Sequence, residues 1–545
     1  MNMKRILTIL TALTLSATVS CTSDFLNVNP TTEIPEKDYY DDYETLMKGL
    51  MAAYAPLQWP DFVFGEYGPL TFVSDVMSDD VRVGGANETD IPYLQLMRKF
   101  SATPNYTPSV LWVVFYSGVY RANTVLQYVD TAEGMSGSAR SRIKAEAYTL
   151  RAYYYTWLWK LFGNVPYYDR NPTGPDYLID QLSADEVYAR IVGDLDAALT
   201  GSGLPKVVKS AELSRFTRAA AQMLRANVVM YQQDASRYGA VLTDMREIIG
   251  SGLYSLRSDF AGIWSDNGEW GSESIFEVNY TDSPSSRTWE NPTKAGGTVF
   301  PTLIGINGYS GPEWDTGGYG FEPVEEVLYN SYEGDDTRRD ATILNFDKYQ
   351  QQHPEATYTP RYDDTGYFNR KYLGRADGHD KYTGNAPELN FRNNYRVWRY
   401  AETLLIASEL IVRTNGDIVL ALEPQTELCK GLTNLYDIDT HAEWKYGTMD
   451  DIRDCIQLGK SGSAQFTCAR ARNYLIAIPT NFPDWSLVGI IHADEVDGAM
   501  RSVQQSTSFA LGALCIFAVI IVVLALGMES QLRLRREEEA RLSLE

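Results

Sequence analysis

Histidine, the side chain most often used for acid–base catalysis and metal binding, is scarce in this sequence. The chain has four histidines, and their spacing matches no metal-binding motif such as HExxH: His353, His379, His441 and His492. The sequence also lacks the GxSxG, P-loop and GxGxxG patterns that place a nucleophile or cradle a phosphate. We therefore expect a protein that is not an enzyme and that uses no cofactor or metal.

One short stretch, GDDTRRDATI, brings several carboxylates and guanidinium groups close together along the chain. Asp335, Asp336 and Asp340 could supply a catalytic acid pair. The alternative is a solvated turn in which Arg338 and Arg339 pair with these carboxylates. We favour the turn, because exposed charges of opposite sign commonly pair without any catalytic role.

The clearest binding candidates are aromatic residues in a stretch rich in Gly, Asn, Pro and Tyr that begins after Gly252. Trp289 and Trp314 lie in SSRTWENP and GPEWDTGG, whose polar, turn-forming flanks favour an exposed position. Tyr309 and Tyr319 lie in the same stretch. An aromatic ring can stack on the C–H face of a sugar while nearby polar groups hold its hydroxyls. We predict that these four residues bind a glycan, with core packing as the alternative for each.

The composition is that of an acidic globular protein. The chain has 545 residues, of which 44% are hydrophobic and 22% are charged, so it can bury a large core. Its formal net charge of −23 excludes a general affinity for nucleic acid, which requires an excess of Lys and Arg.

Helical periodicity dominates the part of the chain that would have to position these aromatics. The stretch SARSRIKAEAYTLRAYYYTWLWKLFG is predicted to end at Gly163 as a C-cap. The next, SADEVYARIVGDLDAALTG, begins with Ser183 and has Glu186 three residues later, which indicates a capping box. SIFEVNY is predicted to be a short strand, and YRVWRYAETLLIASEL a later helix. Helices separated by short turns favour a mainly α, tetratricopeptide-like scaffold with long loops.

The two ends of the sequence predict two different membrane attachments. Residues 1–20 have the basic start and short apolar run of an export signal, and Cys21 follows as a candidate lipid-attachment site. Residues 509–528 form an apolar run of the length that spans a bilayer. Four arginines lie in residues 529–545, which predicts a charged cytoplasmic stub.

The stretch EAYTLRAYYYTWLWKLFGNVP, from Glu146 to Pro166, resembles the signature of the SusD/RagB family of outer-membrane nutrient-uptake lipoproteins. Further stretches resemble the family in the same order along the chain. They are SCTSDFLNVNPTTEI, GVYRANTVL, ADEVYARIVGDLDAAL, FTRAAAQMLRANVVMY, IIGSGLYSL, YEGDDTRRDATI, RKY and WRYAETLLIASEL.

This resemblance implies that residues 21–411 form a glycan-binding helical domain that presents long loops. It also implies a lipid anchor at Cys21, a position at the outer membrane, and a SusC-type TonB-dependent transporter as partner. Family members bind glycans or other nutrients without catalysis. The motifs shared with the family identify no ligand-contacting residue in this chain.

After Leu410 the family pattern stops, and residues 412–505 resemble the membrane-proximal part of a Cache-type sensor domain. The stretches GKSG and DWSLVGII carry this second resemblance. A helix that spans the inner membrane conflicts with an outer-membrane lipoprotein, because outer membranes accept β-barrels. We interpret the chain as two sequences fused near residues 411–416. The alternative to a fusion is a genuine surface lipoprotein with a receptor-like tail. The alternative function is that of a transmembrane sensor whose extracellular region uses a helical binding module.

Overall fold

The structure is a computed structural model, and the residues it describes form a series of helices joined by long loops and small sheets. The described residues are 34, 36–282, 287–334, 336–378, 386–415, 443–457, 462–468, 471–479 and 486–492. Cys21 and the segments 1–20, 509–528 and 529–545, for which a lipid anchor, an export signal, a membrane span and a stub are predicted, lie outside these residues.

Helices are the main regular elements of the first four hundred residues, as the periodicity predicts. In chain order they are α1 (Glu36–Tyr39), α2 (Tyr43–Tyr54), α3 (Leu70–Asp75), α4 (Pro92–Arg98), α5 (Ser109–Tyr128), α6 (Gly137–Phe162), α7 (Ala184–Leu199), α8 (Arg218–Gln232), α9 (Tyr238–Gly250), α10 (Phe300–Ile304), α11 (Glu326–Ser331), α12 (Thr337–Thr342), α13 (Phe346–Gln352) and α14 (Tyr400–Asn415). A further helix, α15 (Met449–Gln457), lies in the C-terminal part.

The helix ends that the sequence predicts are confirmed. Gly163 follows α6 with φ of 69°, a left-handed conformation that glycine adopts without steric cost, and its N–H donates to the Trp159 carbonyl. At the start of α7 the Ser183 hydroxyl accepts from the Glu186 N–H, and the Glu186 carboxylate accepts from the Ser183 N–H at 2.9 Å. These reciprocal bonds satisfy backbone donors that the first turn leaves unpaired.

Neighbouring helices pack in pairs, as expected for a tetratricopeptide-like scaffold. Helix α5 lies between α2 and α6, α6 packs on α7, α8 lies between α7 and α9, and α14 packs on α9. A buried ion pair joins α6 to α7, since Arg151 donates to both carboxylate oxygens of Asp194 at 2.8 and 2.6 Å. Together these contacts build one large apolar core that includes Leu150 and Leu195.

Short antiparallel strands tie the loops to this helical scaffold. The two-stranded pairs are β1 (Val165–Pro166) with β2 (Gln181–Leu182), β3 (Ser274–Val278) with β6 (Tyr395–Arg399), and β4 (Ile343–Asn345) with β5 (Tyr367–Asn369). Strand β3 confirms the one predicted in SIFEVNY. The stretch YRVWR, predicted to be helical, is instead β6, in which alternate residues are buried and Val278 lies opposite Tyr395.

The C-terminal part contains a four-stranded antiparallel sheet. Its strands are β7 (Glu443–Tyr446), β8 (Gly462–Cys468), β9 (Ala471–Pro479) and β10 (Ser486–His492), in the order β10-β9-β8-β7. Phe466 and Leu475 are buried within this region. In the part of the chain that the structure describes, no helix has the length and apolarity needed to cross a membrane.

Candidate functional site

Trp289, one of the predicted glycan-binding residues, lies at the protein surface on a firm support. Its side chain is 38% exposed. Its ring and that of Phe62 pack edge to face, with 4.9 Å between ring centroids and 76° between planes. Its indole Nε1 donates to Glu388 Oε1 at 2.8 Å. The indole is therefore held in one orientation, with part of its surface open to solvent.

Tyr67 is a second aromatic residue that packs near Phe62. The centroids of the Phe62 and Tyr67 rings are 5.1 Å apart. Partial burial, together with the nearby Tyr319, Asp90 and Glu388, raises the pKa of the Tyr67 hydroxyl to about 12. The hydroxyl is thus a neutral hydrogen-bond donor and acceptor at physiological pH.

Tyr319, another of the predicted residues, is linked to Glu388 by hydrogen bonds through Thr302. The Tyr319 N–H donates to the Thr302 carbonyl at 2.8 Å, and the Thr302 hydroxyl donates to the Glu388 carbonyl at 2.8 Å. Arg361 donates to the Tyr319 carbonyl at 2.8 Å. Burial raises the pKa of the Tyr319 hydroxyl, and the Glu388 carboxylate adds to this effect while Arg361 opposes it.

A buried ion pair positions the loop that carries Trp289. Arg287 Nη1 donates to both oxygens of Asp61, at 2.8 and 2.9 Å, and to the Gly297 carbonyl at 2.9 Å. Its other amino group, Nη2, donates to the Phe62 carbonyl. Asp61 also accepts from the Val299 N–H at 2.8 Å. Because Asp61 precedes Phe62 and Arg287 lies two residues before Trp289, this pair fixes the two rings against each other.

We name the group of Trp289, Tyr67, Tyr319 and Glu388 the aromatic surface. It combines an exposed indole with two tyrosine hydroxyls and a carboxylate, which are the groups needed to stack on a sugar ring and to bind its hydroxyls. The Glu388 and Asp90 carboxylates would repel an anionic ligand. The arrangement therefore suits a neutral glycan.

Trp314, whose polar flanks favour an exposed position, is instead buried, and Tyr309 is buried as well. Trp314 is 4% exposed and Tyr309 is 2% exposed, and both lie in a second apolar core beside Phe346 and Tyr349. The Tyr309 hydroxyl donates to the Pro312 carbonyl, and Arg370 lies over the Trp314 ring at 5.6 Å. The loop folds back on itself, so its polar flanks face outward while its aromatic residues are buried.

The other predicted features take no part in this surface. Asp336 caps α12 and pairs with Arg338 at 2.6 Å, and Arg339 pairs with Asp340 at 3.1 Å. These contacts confirm the internally paired turn in place of a catalytic acid pair. Among the described residues, no group of three or more His, Cys, Asp or Glu side chains is placed to hold a metal ion.

Tyr67, Phe62 and Glu388 are the members of this region that sequence reasoning missed. Tyr67 and Phe62 lie in WPDFVFGEYG, a stretch whose aromatic residues and glycines resemble those of the loop around Trp289 and could have drawn attention to it. Glu388 follows Trp289 by 99 residues, and no local pattern marks it.

Comparison with known proteins identifies relatives of this chain. The sequence pattern of the SusD-like family, described as starch-binding and associating with the outer membrane, matches residues 24–230. SusD-like protein P25 of Formosa agariphila is 24% identical over 293 residues, which are 52% of this chain and 54% of that protein. SusD-like protein P38 of the same organism is matched over 53% of its length, so the chain spans about half of each of these curated relatives.

Solved structures match a larger share of the chain. Surface glycan-binding protein A from Bacteroides thetaiotaomicron, in complex with laminarihexaose, is 41% identical, with 69% of this chain and 79% of that chain covered and a TM-score of 0.62. A laminarin-binding SusD-like protein is 28% identical, with 77% and 92% covered and a TM-score of 0.64.

Proposed function

The chain belongs to the SusD-like family, whose members bind carbohydrate without catalysis and associate with the outer membrane, and we propose that it captures a neutral glycan on the aromatic surface. The single observation that carries this proposal is the exposed Trp289 ring, held in place by Phe62 and by the hydrogen bond to Glu388. A fixed ring loses little conformational entropy when a sugar stacks on it.

Laminarin, or an oligosaccharide of it such as laminarihexaose, is the ligand that we propose. Two solved relatives bind laminarin or laminarihexaose, and one of them is 41% identical to this chain. The charges of the surface agree with such a ligand, because Glu388 and Asp90 disfavour uronic or sulfated sugars while leaving neutral ones unaffected.

Calorimetry with Trp289→Ala tests this function. Loss of a stacked indole costs about 1–3 kcal/mol, so affinity for laminarihexaose should fall roughly tenfold or more. Tyr43→Ala is a matched control, since Tyr43 is also an exposed aromatic residue but lies on α2. Unchanged affinity in Trp289→Ala would exclude the aromatic surface as the binding site.

We further propose that the bound glycan passes to a SusC-type TonB-dependent transporter and that Cys21 carries the lipid anchor. Membership of an outer-membrane-associated family supports both proposals. Metabolic labelling with a fatty acid, in the natural chain and in Cys21→Ser, tests the anchor. Co-purification from outer membranes with a barrel transporter encoded beside this chain tests the partner, and its absence would count against transfer.

The boundary near residues 411–416 is also a proposal. The matched family pattern lies wholly within the 21–411 segment, while α15 and the sheet of β7 to β10 lie in the 412–505 segment assigned to a Cache-like unit. Sequencing the DNA across codons 405–420 from an independent isolate tests the fusion. An uninterrupted reading frame in that isolate would favour the alternative, a surface protein with a receptor-like tail.

A further inference from the structure

A second groove with aromatic walls lies on the helical scaffold. Its lining residues belong to other elements than the loops that carry the aromatic surface. It lies between the start of the described chain, α2 and α5, and has a volume of about 760 Å³, within the usual range of ligand sites. Three aromatic residues on one face of α5 line it at intervals of four residues, namely Trp112, Tyr116 and Tyr120.

Tyr120 offers the groove an open aromatic face. Its side chain is 47% exposed, although it lies in the middle of a long helix that is otherwise well packed. Trp112 and Tyr116 are half-buried and pack against each other at 4.8 Å, and the Tyr116 hydroxyl donates to the Pro166 carbonyl at 2.6 Å. These two rings form a rigid floor beside the exposed Tyr120 ring.

The opposite wall is formed by Tyr40. Its ring stacks on Tyr128, with centroids 5.6 Å apart, and lies against Gly49, where any side chain would meet the ring at 2.8 Å. Glycine at position 49 therefore makes room for this ring. The side chains of Tyr40 and Tyr120 both line the groove.

Charged groups of both signs complete the lining. Glu36 lies close enough to contribute to the raised pKa of both the Tyr40 and Tyr120 hydroxyls, although burial is the larger cause in each. Arg121 lies in the same groove, with its guanidinium over the Trp59 ring at 4.9 Å. Arg121 also donates from Nη1 to the Ala52 carbonyl at 3.0 Å, so its guanidinium is already engaged. The groove thus has a carboxylate and two hydroxyls between aromatic walls.

We propose that this groove is a second carbohydrate-binding site, which takes a neutral oligosaccharide or a further segment of a glycan chain. The proposal rests on the proposed function, since it assumes that the protein binds glycans. Exposed aromatic faces alternating with hydrogen-bonding groups match the two surfaces of a sugar ring, one apolar and one edged with hydroxyls. An apolar protein segment would leave the charged and hydroxyl groups of the groove unpaired, at a cost in free energy.

Titration calorimetry with laminarihexaose, supported by affinity electrophoresis in laminarin gels, tests the second site. We expect the natural chain to bind at two sites and Trp289→Ala to weaken only the site on the aromatic surface, so that most of the remaining binding comes from the second site. Adding Tyr120→Ala should weaken this residual binding about tenfold. Adding Tyr43→Ala, an exposed tyrosine on α2 that does not line the groove, should leave it unchanged. Circular dichroism confirms folding, which is not at risk because Tyr120 is exposed.

The outcomes separate this inference from the proposed function. No binding by the natural chain to laminarin or to a panel of neutral glycans overturns both. Binding that Trp289→Ala abolishes completely overturns the second site and leaves the aromatic surface intact. Residual binding that Tyr120→Ala does not weaken also overturns it. Residual binding that falls with Tyr120→Ala, and falls less with Tyr120→Phe, which retains the ring, supports it.

Discussion

Arg287 and Asp61, 226 residues apart in the chain, form a buried ion pair in which Arg287 Nη1 donates to both oxygens of Asp61. The Arg287 side chain is fully buried, and the Asp61 side chain nearly so. Their backbones lead to Trp289 and Phe62, the two rings in edge-to-face contact. A buried contact thus holds in place the two rings of the proposed glycan-binding surface.

Removing one partner of this pair should destabilise the protein strongly. Arg287→Met leaves the Asp61 carboxylate buried without its counter-charge, which costs about 3–5 kcal/mol of the free energy of unfolding. Urea denaturation measures this loss, and calorimetry should show weaker laminarihexaose binding in the fraction that remains folded. Arg338→Met, which removes an exposed ion pair, is the control and should cost less than about 1 kcal/mol. Equal effects of the two substitutions would contradict a positioning role for Arg287.

The hydrogen bond from Trp289 to Glu388 should contribute to binding through the orientation of the indole. Trp289→Phe and Glu388→Gln each remove or weaken this bond, and each should weaken glycan binding by about 0.5–1.5 kcal/mol. Because both act on one contact, the double variant should bind about as well as the weaker single variant. A double-mutant cycle by calorimetry measures the coupling. Fully additive losses would show that Glu388 acts on the ligand independently of Trp289.

Trp314 should behave differently from Trp289, although the sequence places both in similar loops. Trp314→Ala empties part of the second core and should cost about 3–5 kcal/mol of stability. Trp289→Ala removes a partly exposed ring and should cost about 1.5 kcal/mol or less. Thermal denaturation of the two variants makes the comparison, and a larger loss in Trp289→Ala would contradict the assigned burial.

These contrasts indicate which features the sequence could predict. The Gly163 and Ser183 helix ends depend on residues within one turn, so a local pattern identifies them. The burial of Trp314 depends on contacts with Tyr349 and Arg370, far along the chain, and polar neighbours in sequence say nothing about such contacts. The polar flanks of Trp289 agree with its exposure, but no local pattern marks its distant partner Glu388.

The tyrosines also show that local sequence does not predict burial. The abundance of this residue is typical of recognition surfaces, yet the three consecutive tyrosines Tyr153, Tyr154 and Tyr155 on α6 are buried. The Tyr154 hydroxyl donates to the Ala53 carbonyl at 2.6 Å, which satisfies its polar atom inside the core. The number of tyrosines, 37 in the chain, therefore does not tell which of them face solvent, because that depends on the fold.

Glu269 should make stability depend on pH. Burial raises the pKa of this carboxyl from 4.5 to about 7, against the opposing effects of the Asn394 N–H, which donates at 2.8 Å, and of Arg396. The folded state therefore binds this proton more tightly than the unfolded state. The stabilisation is fully present below pH 4.5 and is lost as pH rises through 7. Urea denaturation at several pH values should show this slope, and Glu269→Gln should flatten it. An identical slope in the variant would assign the titration to another group.

The helix α14 should tolerate a polar residue on one side only. Leu405 is 71% exposed, whereas Leu410 on the same helix is fully buried in the main core. Leu405→Gln should change the free energy of unfolding by less than about 0.5 kcal/mol and should reduce aggregation, because it removes an exposed apolar group. Leu410→Ala should cost about 2–5 kcal/mol, since it leaves a cavity where α14 packs on α9. Thermal denaturation followed by circular dichroism and light scattering measures both effects. A large loss of stability in Leu405→Gln would show that a further segment covers this side of the helix, as expected if residues after 411 complete the helical scaffold.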